Sequence, residues 1–255
     1  MALDAAILRG GFCETPTLRV FRWQPYCISL GFHQKEEEID LAKCHAAGID
    51  VARRPTAGRA ILHAEELTYS VVIPGRHAWF EMLPLDFYRR ISEAIAHGLR
   101  YLGVDAQFAP GEKLFHVGKP LRLSCFASAA RNEIVARGKK IVGSAQRRFR
   151  EGTLQHGSIL LKEGHEQLID FLAGEKESLA AERALLLDHT VTLAQVCKRE
   201  VTFEETKQAL KRGFEEMLEI VLQDNEVLPA EAEMAEMERT RFQIHRTNHL
   251  EAIYA

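Results

Sequence analysis

The spacing of apolar and polar residues changes period several times along the chain, and each change predicts an element. Residues 2–9 have helical composition, and residues 17–32 hold two β-rich runs broken at Trp23, Gln24 and Pro25, the pattern of a hairpin. Residues 36–48 place Ile39, Leu41 and Ala42 at helical spacing among charges and stop at Gly48, the residue type that most easily ends a helix. A strand is expected over 49–53. The clearest strand is 67–73, rich in β-branched residues and closed by Pro74 and Gly75. Over 84–102, Phe87, Ile91, Ile95, Leu99 and Leu102 recur on one face, as in an amphipathic helix. Residues 133–135 and 140–146 read as paired strands around Arg137 and Gly138, and 156–161 as another strand. From about residue 166 the pattern is helical. Thr202 and Glu205 form a capping box ahead of 206–223, where Leu210, Phe214, Met217, Leu218 and Val221 make one apolar stripe. The charged stretch 230–255 reads as a loosely attached helix and tail.

Composition narrows the class. The 255 residues, 46% hydrophobic and 27% charged, can build one sizeable core, so one main domain over 1–225 is expected, with 226–255 as a C-terminal helix and tail. No apolar run reaches about 18 residues and no charged region precedes the short apolar start, so the chain is expected neither to span a membrane nor to be secreted. Five cysteines, scattered and without a CxxC pair, argue against a disulfide framework and against a metal knuckle; a reducing cytoplasm fits. A formal net charge of -3 points away from nucleic acid, although Arg137, Lys139, Arg147, Arg148 and Arg150 gather in mid-chain.

Four segments could carry chemistry. Residues 53–63 run from two arginines through a Pro/Gly loop to His63; such a loop exposes backbone N–H groups, and an arginine beside it can hold a phosphate or carboxylate, although an ordinary turn with solvated arginines has the same look. In 138–146, strict alternation puts Lys140, Val142 and Ser144 on one face and Ile141, Gly143 and Ala145 on the other. Lys140 either snorkels at a strand end or points into a cleft floored by Gly143 and Ala145, whose small side chains admit a ligand close to the backbone. In 154–161, His156 and Gly157 open a strand, and His156 is kept as a binding residue rather than an acid or base. Cys125 lies in a small-residue segment just ahead of the Lys140 strand; nearby cationic side chains would stabilise its thiolate, whereas Cys27, Cys44 and Cys197 read as packing residues.

In this order the segments resemble the biotin/lipoate A/B protein-ligase superfamily, most closely its octanoyltransferase branch acting on the glycine-cleavage H protein. The similarity runs from Met1 to Leu161 and more faintly to about Leu222. The branch's Arg-Arg-Pro-Thr-Gly-Gly-Arg loop matches Arg53 to Arg59, and its Glu-Leu-Thr-Tyr-Ser strand matches Glu66 to Ser70. The superfamily's lysine falls on Lys140. The branch's cysteine, followed by Phe and eight residues later by Glu, falls on Cys125, Phe126 and Glu133. There are departures. Ala57 stands where the family usually has glycine, which would narrow the acyl or nucleotide pocket. Ala64 replaces an aspartate, and the short segment usual before the first helix is missing.

The resemblance implies an α+β fold, a mixed and largely antiparallel sheet flanked by helices as in class II synthetases, with a small helical C-terminal part. It implies a cytoplasmic enzyme that moves an octanoyl group from acyl carrier protein to a lysine of a lipoyl domain, in H protein or a 2-oxoacid dehydrogenase E2, through a Cys125 thioester. Lys140 would stabilise the oxyanion, and Arg54, Thr56, Ala57, Gly58, Arg59, His63, Gly143, Ser144, Ala145, His156 and Gly157 would bind the acyl group or substrate. No cofactor is needed on that reading. The basic cluster would steer acidic protein partners. An ATP- and Mg2+-dependent lipoate-protein ligase, a non-catalytic accessory protein of the same fold, and an amidotransferase between lipoyl domains are the competing readings.

Overall fold

The computed structural model describes residues 1–12, 14–109 and 132–246. Two sheets meet along one seam. The first helix, α1 (Ala2–Gly10), is followed by β1 (Thr17–Phe21) and β2 (Cys27–Leu30). A short 3-10 turn (Glu36–Glu38) and α2 (Leu41–Ala46) lead to β3 (Asp50–Arg53), β4 (Ile61–His63) and the long β5 (Glu66–Pro74). Next come α3 (Pro84–Arg100) and β6 (Ala106–Ala109), then β7 (Glu133–Ala136), β8 (Lys139–Arg148) and β9 (Gly152–Leu160). The helical part holds α4 (Lys176–His189), α5 (Leu193–Cys197), α6 (Phe203–Leu218) and α7 (Pro229–Phe242), and β10 (Gln243–His245) closes it.

One sheet is six-stranded and antiparallel, in the order β1-β5-β9-β8-β7-β6; the other has the order β10-β3-β2-β4. Among the described strands only β2 and β3 pair in parallel, and the 3-10 turn with α2 supplies the crossover that a parallel pair requires. The fold is therefore α+β and largely antiparallel, as expected. The two β-rich runs of 17–32 do not form a hairpin, because β1 pairs with β5 and β2 pairs with β3 and β4 in the other sheet. The connection carrying Trp23 thus passes across the seam between the sheets.

The inner strand β5 is buried on both faces, so its composition divides by parity. Leu67, Tyr69, Val71 and Ile73 join the main core with Phe87, Ile91, Ile95 and Leu99 of α3 and Leu210 and Phe214 of α6. Thr68 and Ser70 face the other way, into the seam. Helices α3 and α6 cross at backbone contact, since a Cβ on Gly213 would stand 2.5 Å from the Ala94 carbonyl oxygen. Leu210, Phe214 and Leu218 lie on the buried face of α6, but Met217 is 40% exposed and Val221, beyond the helix end, 84% exposed, so the expected stripe is narrower. The capping box at Thr202 and Glu205 is formed. The last helix is not loosely attached: α7 packs on α1 through Ala235, with Arg9 and Glu238 ion-paired at 2.7 Å, and β10 pairs with β3. No helix among the described residues is long and apolar enough to cross a membrane.

The hairpin of β7 and β8 turns at Arg137 and Gly138, both at positive φ. Its ladder contains a bulge: Val142 pairs with Ile134 but Lys140 with the adjacent Val135, so two steps on β8 oppose one on β7. Alternation is broken at Ile141. Lys140 consequently leaves the face of Val142 and Ser144, where strict alternation would put it, and joins that of Gly143 and Ala145.

The α3–α6 crossing has no room for a methyl group. Gly213→Ala is expected to destabilise the protein by about 1–3 kcal/mol, read as a lower urea midpoint at unchanged m-value.

Candidate functional site

A narrow cleft opens in the seam. Its floor is the adjacent pair β8 and β9, where Gly143 lies opposite Ser158, Ser144 opposite Gly157 and Ala145 opposite His156. Phe21, Trp23, Ile61 and Thr68 supply much of the wall. Of the residues expected from sequence, Arg54, His63, Gly143, Ser144, Ala145, His156 and Gly157 line this one cleft, although they are scattered over a hundred positions. Gly157 is required by packing, since a Cβ there would stand 2.8 Å from the Tyr69 ring. Ser144 turns its hydroxyl to that side and accepts a hydrogen bond from Tyr69 at 2.7 Å.

The loop over 53–59 is held from within. Arg54, 2% exposed, donates to the carbonyls of Ser29 (2.9 Å), Ala57 (3.2 Å) and Arg59 (2.7 Å) and to the Ser29 hydroxyl (3.2 Å). It is a clamp on its own loop, donating to the carbonyls on either side of it. Arg147 donates to the Pro55 carbonyl at 2.7 Å and lies over the Phe32 ring, which presses the loop against β8. Thr56 shares a 2.6 Å hydrogen bond with His156, joining the loop to β9. Ala57 is exposed and does not line the cleft, so its methyl group does not narrow the cavity; the positive φ belongs to Gly58, at 111°. Arg59 contributes its carbonyl to the clamp, and its side chain stays outside the cleft lining.

The His63 ring is locked on several sides. It lies 2.7 Å from Glu66 Oε1 through Nδ1 and 2.7 Å from Ser29 Oγ through Nε2, and Trp23 stacks on its face at 4.6 Å. The carboxylate sets the tautomer: Nδ1–H donates to Glu66, and Nε2 accepts from Ser29, whose oxygen in turn accepts from Arg54. Thr68 donates to the same Glu66 oxygen at 2.6 Å and accepts from the Trp23 indole at 2.8 Å.

Asp4 lines the cleft from α1. Burial alone would raise its carboxyl, but the Arg19 guanidinium and the Ser70 hydroxyl outweigh it and hold the group well below the usual carboxylate range. His156 is pushed down to about 3, chiefly by burial, so its imidazole is neutral near pH 7. Neither Asp4 nor Trp23, Glu66 and Thr68 came forward as site residues from sequence. Asp4 had a readable signal, an acid isolated in an apolar helix; Glu66 and Thr68 stood within a strand matched to the family without a role, and Trp23 read as a turn residue.

Lys140 is 2% exposed, and its ammonium is 2.8 Å from Glu133 Oε1. The bulge makes this pair, because Glu133 and Val135 share the strand face to which Lys140 is diverted. Burial holds the Glu133 carboxyl above its ordinary value despite the lysine. Lys140 does not line the cleft; it lies along β8 from Gly143, about 10 Å away at strand rise. Cys125 falls outside the described residues. Burial raises the thiols of Cys27, Cys44 (to about 11) and Cys197, and none of the three lines the cleft, which suits packing residues. The basic cluster is divided: Arg137 and Lys139 stand at one end of β8, and Arg147, Arg148 and Arg150 at or beyond the other, about 27 Å away.

A sequence profile of the lipoyl protein ligase A/B catalytic domain matches residues 1–215. The chain belongs to that family. Among curated relatives, it is 38% identical to an octanoyltransferase LipM of Geobacillus kaustophilus, over 97% of this chain and 92% of the relative. It is 34% identical to the octanoyltransferase LipM of Bacillus subtilis, over 89% of this chain and 84% of that one. Among solved structures, a lipoate-protein ligase A bound with ATP superposes with a TM-score of 0.74 at 28% identity, covering 94% of this chain and 88% of that chain. A bipartite lipoate protein ligase from Thermoplasma acidophilum, solved in a study with its E2 lipoyl domain, gives 0.77 at 26% identity, covering 94% and 86%.

The His156 shift makes stability pH-dependent in a defined direction. Above about pH 6.5 both folded and unfolded forms hold it neutral; below that the unfolded chain takes up a proton that the folded cleft refuses until about pH 3. His165, lowered by burial in the same way, adds to the effect. The urea midpoint is expected to fall between pH 7 and pH 5, and to fall less in His156→Gln.

Proposed function

We infer that this chain is an octanoyltransferase of lipoate biosynthesis, and that it acts in the cytoplasm without a cofactor. The observation that carries this reading is the similarity to octanoyltransferases at 34–38% identity, in the two relatives above over 89–97% of the chain. The seam supports it physically. A mostly apolar cleft with a floor of Gly143 and Ala145 suits an acyl chain, each buried methylene contributing about 0.8 kcal/mol.

In the proposed reaction the Cys125 thiolate attacks the thioester of octanoyl acyl carrier protein. A bond forms between Cys125 sulfur and the acyl carbon, the carrier's carbon–sulfur bond breaks, and the carrier leaves as a thiolate that takes up the proton Cys125 lost on ionising. The lysine amine of a lipoyl domain then displaces Cys125 from the acyl group. Lys140, held by Glu133 at 2.8 Å, donates to the oxyanion of each tetrahedral adduct. Arg54, Thr56 and Arg147 act as positioning residues that hold the loop at the cleft edge.

Intact-protein mass spectrometry after mixing with octanoyl acyl carrier protein, without ATP, tests this. The expected result is an octanoyl adduct on the wild type, labile to hydroxylamine, discharged by a lipoyl domain and absent from Cys125→Ala. Lys140→Met should slow adduct formation by about 10²–10³-fold. Absence of an adduct, with acylation of the lipoyl domain from free octanoate and ATP, would make the chain a ligase instead.

A further inference from the structure

Beside the acyl cleft lies a second, more open cavity of about 560 Å3, bounded by the β1–β2 connection, the β4–β5 turn, the end of β9 and the start of α6. The two cavities share Trp23 and His63, so these rings form the partition between them. A transferase has two substrates to admit, and the second cavity meets the first across this partition, from a separate side.

Its chemistry is selective. Glu66 is among its lining residues and is 4% exposed. Oε1 accepts from His63 and Thr68, whereas the enclosed Oε2 has no hydrogen-bond partner among the described residues. An enclosed carboxylate oxygen without a donor is a standing free-energy cost that an arriving ammonium would relieve. The rim leans the same way. Glu65 is already paired with Lys162 at 3.2 Å, Arg22 rests over the Phe203 ring at 4.4 Å, and Glu200 is exposed at the mouth. With Glu65, Glu66 and Glu200 against Arg22 and Lys162, the groove carries an excess of negative charge. The faces of Trp23 and Phe203 suit a methylene stem.

We propose that this groove admits the acceptor lysine of the lipoyl domain, and that Glu66 receives its ammonium and takes one proton from it. The proposal rests on the transferase reading above. The freed amine forms the C–N bond to the acyl carbon as the C–S bond to Cys125 breaks. The second nitrogen proton leaves with the sulfur as the Cys125 thiol, and Glu66 returns its proton to water in the groove. His63 acts here as a positioning residue, since both its ring nitrogens are engaged.

The test is single-turnover discharge of preformed octanoyl-enzyme. Glu66→Gln keeps an oxygen for His63 and Thr68 and removes only the charge, and a thermal melt checks that it folds. Discharge onto the lipoyl domain is expected to fall by about 10²–10⁴-fold, whereas discharge by hydroxylamine, uncharged at neutral pH, should stay close to wild type. Equal loss with both nucleophiles, or no loss with either, would overturn the proposal. The surface variant Glu200→Lys should raise KM for the lipoyl domain several-fold by rim repulsion. Calorimetry separates this inference from the function it rests on. Wild type should bind the lipoyl domain about tenfold or more tighter than the same domain with its acceptor lysine replaced by alanine, and Glu66→Gln should abolish the difference. A difference that survives in Glu66→Gln sinks the groove whether or not an octanoyl-enzyme forms. Absence of octanoyl-enzyme in wild type instead sinks the transferase reading.

Discussion

Polar groups on the inner faces of β5 and β9 have to find partners across the seam between the two sheets, and this requirement organises the rest of the molecule. Glu66, Thr68, Ser70, His156 and Ser158 are all nearly solvent-free. Their partners come from other elements: His63 from β4, Trp23 from the β1–β2 connection, Asp4 from α1 and Thr56 from the 53–59 loop. Each of these contacts is worth about a kilocalorie or so when made and more when one side is lost. The seam is a polar joint with a cavity left in it, and the cavity exists because Gly143 and Ala145 do not fill it.

The loop at the cleft edge shows how that joint fixes geometry. A segment of Pro, Thr, Ala and Gly has little side chain with which to pack. Its conformation is instead imposed by Arg54 from inside, by Arg147 from the sheet and by Thr56 through His156. A neutral His156 suits this role, because charging it would place an ion in an enclosed site. Asp4 shows the converse: ionised though buried, it persists because Arg19 and Ser70 are aimed at it.

Periodicity and residue type by themselves determined the existence and kind of most elements, because a half-buried helix or strand has to repeat its apolar residues every 3.6 or 2 positions. That is why 67–73, 84–102, the 133–146 hairpin and the Thr202 cap were legible; the cleft residues Arg54, His63, Gly143, Ala145 and His156 were marked as a set by the ordered motifs that resemble the protein-ligase superfamily. Only the tertiary structure decided which strands share a sheet, since β1 and β2, adjacent in sequence, pair with partners about fifty and twenty residues away respectively. It alone decided that Lys140 meets Glu133, because a bulge at Ile141 reverses the face that alternation assigns and no local pattern announces a bulge. It also made Arg54 a clamp on its own loop and brought Trp23, Glu66 and Thr68 into the site. An arginine or glutamate is chemically the same in solvent or in a seam, and its role follows from which donors and acceptors the folded chain places within about 3 Å of it.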